Sequence, residues 1–193
     1  NILSAEIALP AAVYDTAERR LAFYQAVGDR LGALTAISSM SVASALPLLG
    51  GESRRLEIMD RPLTDRDKKD QQTVLTVAVA RGYFATLGLG IARGRDFTAD
   101  DGSPGRPFVI VNERFVEKFS PDRDPIGQRI AVSRNDSPAP AEWLTIVGVS
   151  PSIRQRSMPS PDAVVYLPLR SLPQPAAALI VRSDIRTDAL SEL

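Results

Sequence analysis

The residues able to do chemistry are few, and their types set the first limits. The chain has no histidine and no cysteine. That removes the commonest general base, the commonest transition-metal ligand, thiolate nucleophiles, disulfides and any Ser-His-Asp triad. A serine–lysine pair stays formally open, but the only lysines are Lys68, Lys69 and Lys118. The first two fall in a charge-dense stretch and the third on the polar side of a helix. A catalytic lysine needs desolvation to lower its pKa, and none of the three is placed for it. Asp96, Asp100 and Asp101, ahead of Gly102, suggest a calcium loop. Their spacing lacks the alternating acids and the later bidentate glutamate of an EF-hand, so a solvated turn is expected. Gly88, Gly90 and Gly94 spell G-x-G-x-x-x-G, but a helical turn precedes them and no helical pattern follows. The strand–loop–helix cradle that holds phosphate is therefore absent, and turns are expected instead. No Walker lysine loop occurs. The sequence predicts no catalytic centre, no bound cofactor and no metal site.

Composition narrows the class further. The 193 residues are 44% apolar and 24% charged, ordinary values for a globular chain able to bury its own core. The 23 basic and 23 acidic residues balance, which argues against a nucleic-acid partner. Residues 31–51 carry no charge and are long enough to span a bilayer. Their glycines, serines and Pro47 keep hydropathy low, and a strand is expected there. The chain starts at Asn1 without an initiator methionine and stops within a helical pattern, which reads as a piece of a longer protein.

The elements that must position these residues follow from periodicity. Residues 2–9 form an apolar strand stopped by Pro10. Asp15, with Glu18 three residues on, predicts a capping box. Leu21, Tyr24, Val27 or Gly28, Leu31 and Leu34 mark the apolar stripe of the helix that follows. Residues 35–46 are a second strand, completing a βαβ-type unit. Further strands are expected at 54–59, 73–80, 108–111, 126–132, 143–149, 163–167 and 177–181. A helical turn is expected at 81–87, an Asn112-capped helix through Phe119, a solvated loop at 61–70, a hairpin loop at 135–140 and a helix starting at Thr187. This is an α+β fold with roughly eight strands. Leu46, Leu48 and Leu49 around Pro47 form an apolar knuckle that either tucks against the core, the preferred reading, or meets a partner or greasy ligand.

A run of short words then carries a family resemblance. Gly82-Tyr83-Phe84-Ala85-Thr86-Leu87-Gly88 is followed by Ala92-Arg93-Gly94-Arg95-Asp96-Phe97, then by Val109-Ile110-Val111-Asn112-Glu113. Asp124-Pro125-Ile126-Gly127-Gln128-Arg129-Ile130, Ile146-Val147-Gly148-Val149 and Val165-Tyr166-Leu167-Pro168-Leu169 come next. In this order, over residues 73–169, the words resemble the MacB-like periplasmic core domain of FtsX-like ABC-transporter permeases. The motif residues Gly82, Tyr83, Phe84, Gly94, Arg95, Phe97, Asn112, Pro125, Gly127, Gly148 and Pro168 read as scaffolding. Gly94 and Gly127 serve turns, Asn112 caps a helix, Pro125 blocks helix continuation, and Tyr83 and Phe84 anchor a short helix on the sheet.

The resemblance implies two subdomains. Residues 1–50 and 171–193 would make a porter-like unit from the chain ends, truncated at its C-terminal end so that its closing strand is expected to be missing. Residues 51–170 would form a mixed α/β subdomain inserted between them. It implies a place on the extracytoplasmic, periplasmic face of the bacterial inner membrane, between two transmembrane helices, and a role in mechanotransmission during efflux or other export. The implied partners are the transmembrane helices of the parent permease, an ABC ATPase subunit or domain that alone hydrolyses ATP, a second permease copy, and a periplasmic partner or exported substrate. Two other classes compete: a free-standing extracytoplasmic ligand- or peptide-binding module, and a hydrolase, which would need clustered polar residues with perturbed pKa.

Overall fold

The computed structural model describes residues 1–59, 72–134 and 142–183. In chain order the elements are β1 (Ile2–Ala8), α1 (Ala17–Gly32), β2 (Ile37–Ala43), β3 (Glu52–Ile58), β4 (Thr73–Val79), α2 (Tyr83–Thr86), β5 (Arg93–Gly94), β6 (Phe108–Asn112), α3 (Glu113–Phe119), β7 (Arg129–Ser133), β8 (Trp143–Ser150), β9 (Val164–Pro168) and β10 (Ala176–Ser183). The expected α+β class holds. Ten strands replace the roughly eight expected, in part because β5 is two residues long and has no periodicity to read. The expected loops at 61–70 and 135–140 and the helix from Thr187 fall wholly or mainly outside the described residues.

The chain ends build an arm. β1 and β2 run parallel and do not touch, because β10 lies between them, antiparallel to both. The strand–helix–strand unit read from the sequence is therefore a split one. Its helix, α1, packs on β2 through Tyr24, whose hydroxyl donates to Gln174 O at 2.8 Å. The expected cap at Asp15 is displaced by one residue. Thr16 takes the extended conformation and accepts from Arg19 N, while Asp15 pairs with the Arg19 guanidinium at 2.8 Å. Glu18 consequently sits one position too early to close a capping box. No helix among the described residues is long and apolar enough to cross a membrane, and residues 37–43 of the uncharged stretch are strand β2.

The middle of the chain builds a closed ring. β3 pairs with β4 and β7, β7 with β8, β8 with β6, β6 with β9, and β9 returns to β4. Alternation along these strands sorts side chains into two cores. Leu56, Val74, Val109, Val111, Ile130, Ile146, Val149, Val165 and Leu167 share one core, closed by Phe115 and Phe119 of α3. All six ring strands contribute to it, so it is the ring interior. The intervening residues Leu75, Val77, Val79, Ile110, Val164 and Tyr166 face outward and are covered by Tyr83, Phe84, Phe97 and the arm residues Ala43 and Ile180. β4 is buried on both faces, and its near-continuous apolar sequence reflects this. A third, smaller core joins Leu9, Tyr24, Val42 and Ala177 of the arm to Ala78 and Leu169 of the ring.

Gly94 and Gly148 explain where β5 sits. A Cβ on Gly94 would lie 2.2 Å from Val147 O, and one on Gly148 would lie 2.3 Å from Arg95 O. The two strands meet only because both positions lack side chains, and Gly94 also has φ +73°. Gly127 has φ +84° but faces open space. It holds a turn in which Gln128 N donates to Pro125 O, and that turn delays β7 from the expected start at 126 to Arg129. Gly148→Ala is expected to cost about 2–3 kcal/mol by overpacking, and Gly94→Ala as much or more because left-handed backbone adds about 1–2 kcal/mol. Gly127→Ala should cost only about 1–2 kcal/mol from backbone alone. Urea unfolding of the three variants checks this ranking.

Candidate functional site

Arm and ring meet along a seam whose backbone is set by two serines. β2 touches β4 through one register pair, Ala43 opposite Val79. On either side Ala80 N donates to Val42 O at 2.7 Å and Ser44 N to Ala78 O at 2.8 Å. Ser44 Oγ then accepts from Ala78 N at 2.9 Å, and Ser41 Oγ donates to Ala80 O at 3.3 Å. Serine side chains take the place of ladder bonds where the two strands diverge. At the other end of β10, Arg182 Nε donates to Thr86 O at 2.8 Å, bringing a cation to the last turn of α2.

Beside this seam lies an open cleft of about 280 Å³. Tyr24, Gln25 and Asp29 of α1 and Met40 to Val42 of β2 form the arm wall; Phe97 to Ala99, Asp101, Pro168 and Arg170 form the ring wall. The ring wall is braced by an ion pair between a half-exposed arginine and a buried aspartate. Asp101 is 2% exposed, and its carboxylate accepts from Arg95 Nη1 at 2.6 Å, Arg95 Nη2 at 3.2 Å and Thr98 N at 2.8 Å. Arg95 also donates to Asp96 O at 3.0 Å and lies over the Phe108 ring. The solvated turn expected at 96–102 is thus a clamp: the backbone curls so that Asp101 points inward. Burial works to raise the Asp101 pKa, but the Arg95 and Thr98 hydrogen bonds outweigh it and hold the carboxyl below its usual range. Asp96 goes the other way, raised by burial against the opposing pull of the Phe97 amide, Arg81 and Arg95.

The motif residues divide into groups. Gly94, Arg95, Phe97, Gly148 and Pro168 gather at or behind the ring wall of the cleft. Gly82, in left-handed backbone, starts α2, and Tyr83 and Phe84 form a cluster with Tyr166 at centroid distances of 5.2, 6.0 and 5.0 Å, each edge contact worth about 0.5–1.5 kcal/mol. Burial pushes the Tyr83 phenol up to about 12. Asn112 does more than cap. Its Oδ1 accepts from Phe115 N at 2.9 Å and from Val164 N at 3.0 Å, and its Nδ2 donates to Asp162 O at 2.8 Å. Pro125 and Gly127 hold the turn before β7, away from the cleft. Arg182 and Arg170 were not singled out from sequence, and Asp101 was read there only as part of a solvated turn. The Arg95–Asp101 spacing is the one signal that could have found the clamp, but nothing local tells an inward from an outward aspartate.

The cleft is lined by apolar side chains together with Asp29, Arg81, Asp101 and Arg170. Asp101 is consumed by Arg95, Ser41 by a carbonyl, and among the described residues no three acidic side chains gather in a way that could hold a metal. Lys118 is exposed on α3.

The sequence matches the family of MacB-like periplasmic core domains over residues 12–192. No curated protein matches it. The fold is similar to the extracellular domain of the noncanonic ABC-type transporter YknZ from Gram-positive bacteria, at 14% identity and TM-score 0.61, covering 100% of this chain and 88% of that one. It is also similar to the periplasmic region of MacB from Actinobacillus actinomycetemcomitans, at 14% identity and TM-score 0.60, covering 88% of this chain and 69% of that one. A third likeness is to a domain of a protein from Porphyromonas gingivalis whose description as a permease is provisional, at 16% identity and TM-score 0.54, covering 86% and 71%.

The clamp yields a signed pH dependence. A carboxyl with depressed folded pKa adds stability above its unfolded value near 3.8 and loses it as pH falls through the folded value. Asp101→Asn is therefore expected to lower stability by about 2 kcal/mol at neutral pH, the scale of charged hydrogen bonds. That gap should narrow below about pH 4. Asp96, with a raised pKa, has the opposite sign, and Asp96→Asn should not destabilise at neutral pH. Urea titrations at pH 7 and pH 3 measure both.

Proposed function

Because the chain belongs to the family of MacB-like periplasmic core domains, an extracytoplasmic part of ABC-transporter permeases and no enzyme family, we propose that it passes conformational change from the membrane to cargo or envelope partners during export. The observation that carries this reading is the seam. Within each half the strands pair over two or more register positions, whereas between the halves β2 and β4 share one register pair, with side-chain packing rather than a ladder joining the rest of the seam beside an open cleft. Such a joint lets one body rock on another by small side-chain rearrangements. On this reading the described arm strands belong to the porter-like part expected at 1–50 and 171–193, and the described ring strands to the inserted part expected at 51–170.

The arm delivers the movement. Asn1 and Ser183 exchange backbone hydrogen bonds of 2.9 and 3.0 Å, so forces carried along the segments that leave these two residues would meet at one point. ATP hydrolysis belongs to a separate ABC ATPase subunit or domain, and a second permease copy and a periplasmic partner complete the assembly. A free-standing binding module would draw on the cleft, whose 280 Å³ falls just below the range of about 300–1,000 Å³ for ligand pockets, or on the wide surface hollows of 680 Å³ beside α3 and 710 Å³ along α1.

Apolar segments of about 20 residues are expected just before and soon after this chain in the parent protein. The chain lacks cysteine, so Ala26→Cys, exposed on α1, gives a single label site. A membrane-impermeant maleimide should modify it in cells with a permeabilised outer membrane. Modification only after lysis of the inner membrane, or a parent without such segments, contradicts the reading.

A further inference from the structure

The ring wall of the cleft carries two cations that nothing in the described chain answers. β4 and β9 run parallel with Val79 level with Pro168, and Leu169 N extends the ladder by donating to Val79 O at 2.8 Å. Arg81 and Arg170 each lie two residues beyond that register pair, and both line the cleft. Neighbouring strands are about 4.8 Å apart, so the two arginines leave the sheet side by side. Both are exposed. Neither makes an ion pair or a side-chain hydrogen bond among the described residues. Like charges set so close repel one another, and the acids around them do not cancel them. Asp101 is held by Arg95. Asp96 feels Arg81, but it is half-buried and its Oδ1 accepts from Phe97 N at 2.7 Å. Asp29 stands on the opposite, arm wall.

The base of the cleft is apolar. Val42, Val79, Phe97 and Leu169 are buried there, and Met40 flanks them. A cleft of 280 Å³ is too small for a whole drug-sized ligand, so it suits the end of a longer molecule. Paired arginines at the lip of an apolar base fit a carboxylate carried beside an apolar group. A fatty acid and the end of an apolar peptide both have that chemistry. Gln25 and Asp29 on the arm wall favour the peptide. Their side chains make no hydrogen bond among the described residues, and they can serve the amide groups that a peptide has and a fatty acid lacks.

We propose that the cleft binds the C-terminus of a peptide ending in apolar residues, its carboxylate between Arg81 and Arg170 and its last side chain against Phe97 and Met40. The site needs only the cleft as it stands and does not depend on the export reading. The chain has three methionines, Met40, Met59 and Met158, and of these Met40 alone lines the cleft. Nuclear magnetic resonance of isotope-labelled methionine methyl groups therefore reports the site with two internal references. Titrating this chain with N-acetyl-leucyl-leucine should move the Met40 signal to saturation and leave Met59 and Met158 still. The C-terminal amide of the same peptide should bind at least about ten-fold more weakly, the scale of a lost charge-assisted hydrogen bond. Arg81→Gln and Arg170→Gln should each weaken binding of the acid about ten-fold, leaving amide binding and the thermal midpoint unchanged. Arginines with a merely structural role would lower the midpoint and leave the preference for acid over amide intact. Octanoate should bind more weakly than the peptide. No saturable shift at Met40, equal affinity for acid and amide, equal shifts at Met59 or Met158, or octanoate binding as tightly as the peptide overturns the proposal. The measurement needs neither membrane nor ATPase, so its failure leaves the export reading standing.

Discussion

The insertion of β10 between β1 and β2 is the constraint on which the rest of the molecule depends. β1 and β2 are joined by a right-sized helix and run the same way, but they lie two strand positions apart, and neither can satisfy its inner edge without the third strand. That strand arrives from the far end of the sequence, with Asn1 bonded to Ser183. Everything between β2 and β10 is therefore an excursion that must return to the same place. Closing so long a loop costs little more than closing a short one, but it makes the arm a late, non-local assembly. It also brings Asn1 and Ser183 side by side.

The excursion solves its own edge problem by closing into a ring. Closure gives β4, β6 and β9 two buried faces, and the outward face is where α2, Phe97 and the arm settle. The same tight sheet leaves no room where β5 meets β8, and Gly94 and Gly148 supply that room. The clamp between Arg95 and Asp101 stiffens the segment leaving β5, which forms one wall of the cleft. Ring, clamp and cleft wall form one continuous structure, and the arm leans on it through Ser41, Ser44 and Arg182.

Local features could be read from the sequence because their causes are local. The apolar alternation of β4, the Asn112 cap of α3 and the glycine turns each depend on a few neighbouring residues. The order of the strands could not be read, because β10 pairs with residues more than a hundred positions away. Asp101 was misread for the same reason: an aspartate in a turn looks solvated unless its arginine partner is known to fold over it. The cap moved from Asp15 to Thr16 because either side chain can accept from a first-turn amide, and one residue of backbone decides which does. The knuckle at 46–49 was seen as apolar and expected to tuck in, but Leu48 and Leu49 are exposed on a turn where Leu48 has φ +70°, a backbone angle that no sequence pattern encodes.

On the proposed reading the domain would act as a lever with the Ala43–Val79 contact as its fulcrum. The most direct test is a distance across the cleft. Spin labels on Gln25→Cys and Ala99→Cys, one on each wall, would be measured by pulsed dipolar spectroscopy in the parent permease with its ATPase, nucleotide-free and trapped with ATP. A rocking arm predicts two different distance distributions that interconvert with the nucleotide. A single distribution, identical in both states, would contradict it and leave arm and ring as one rigid body.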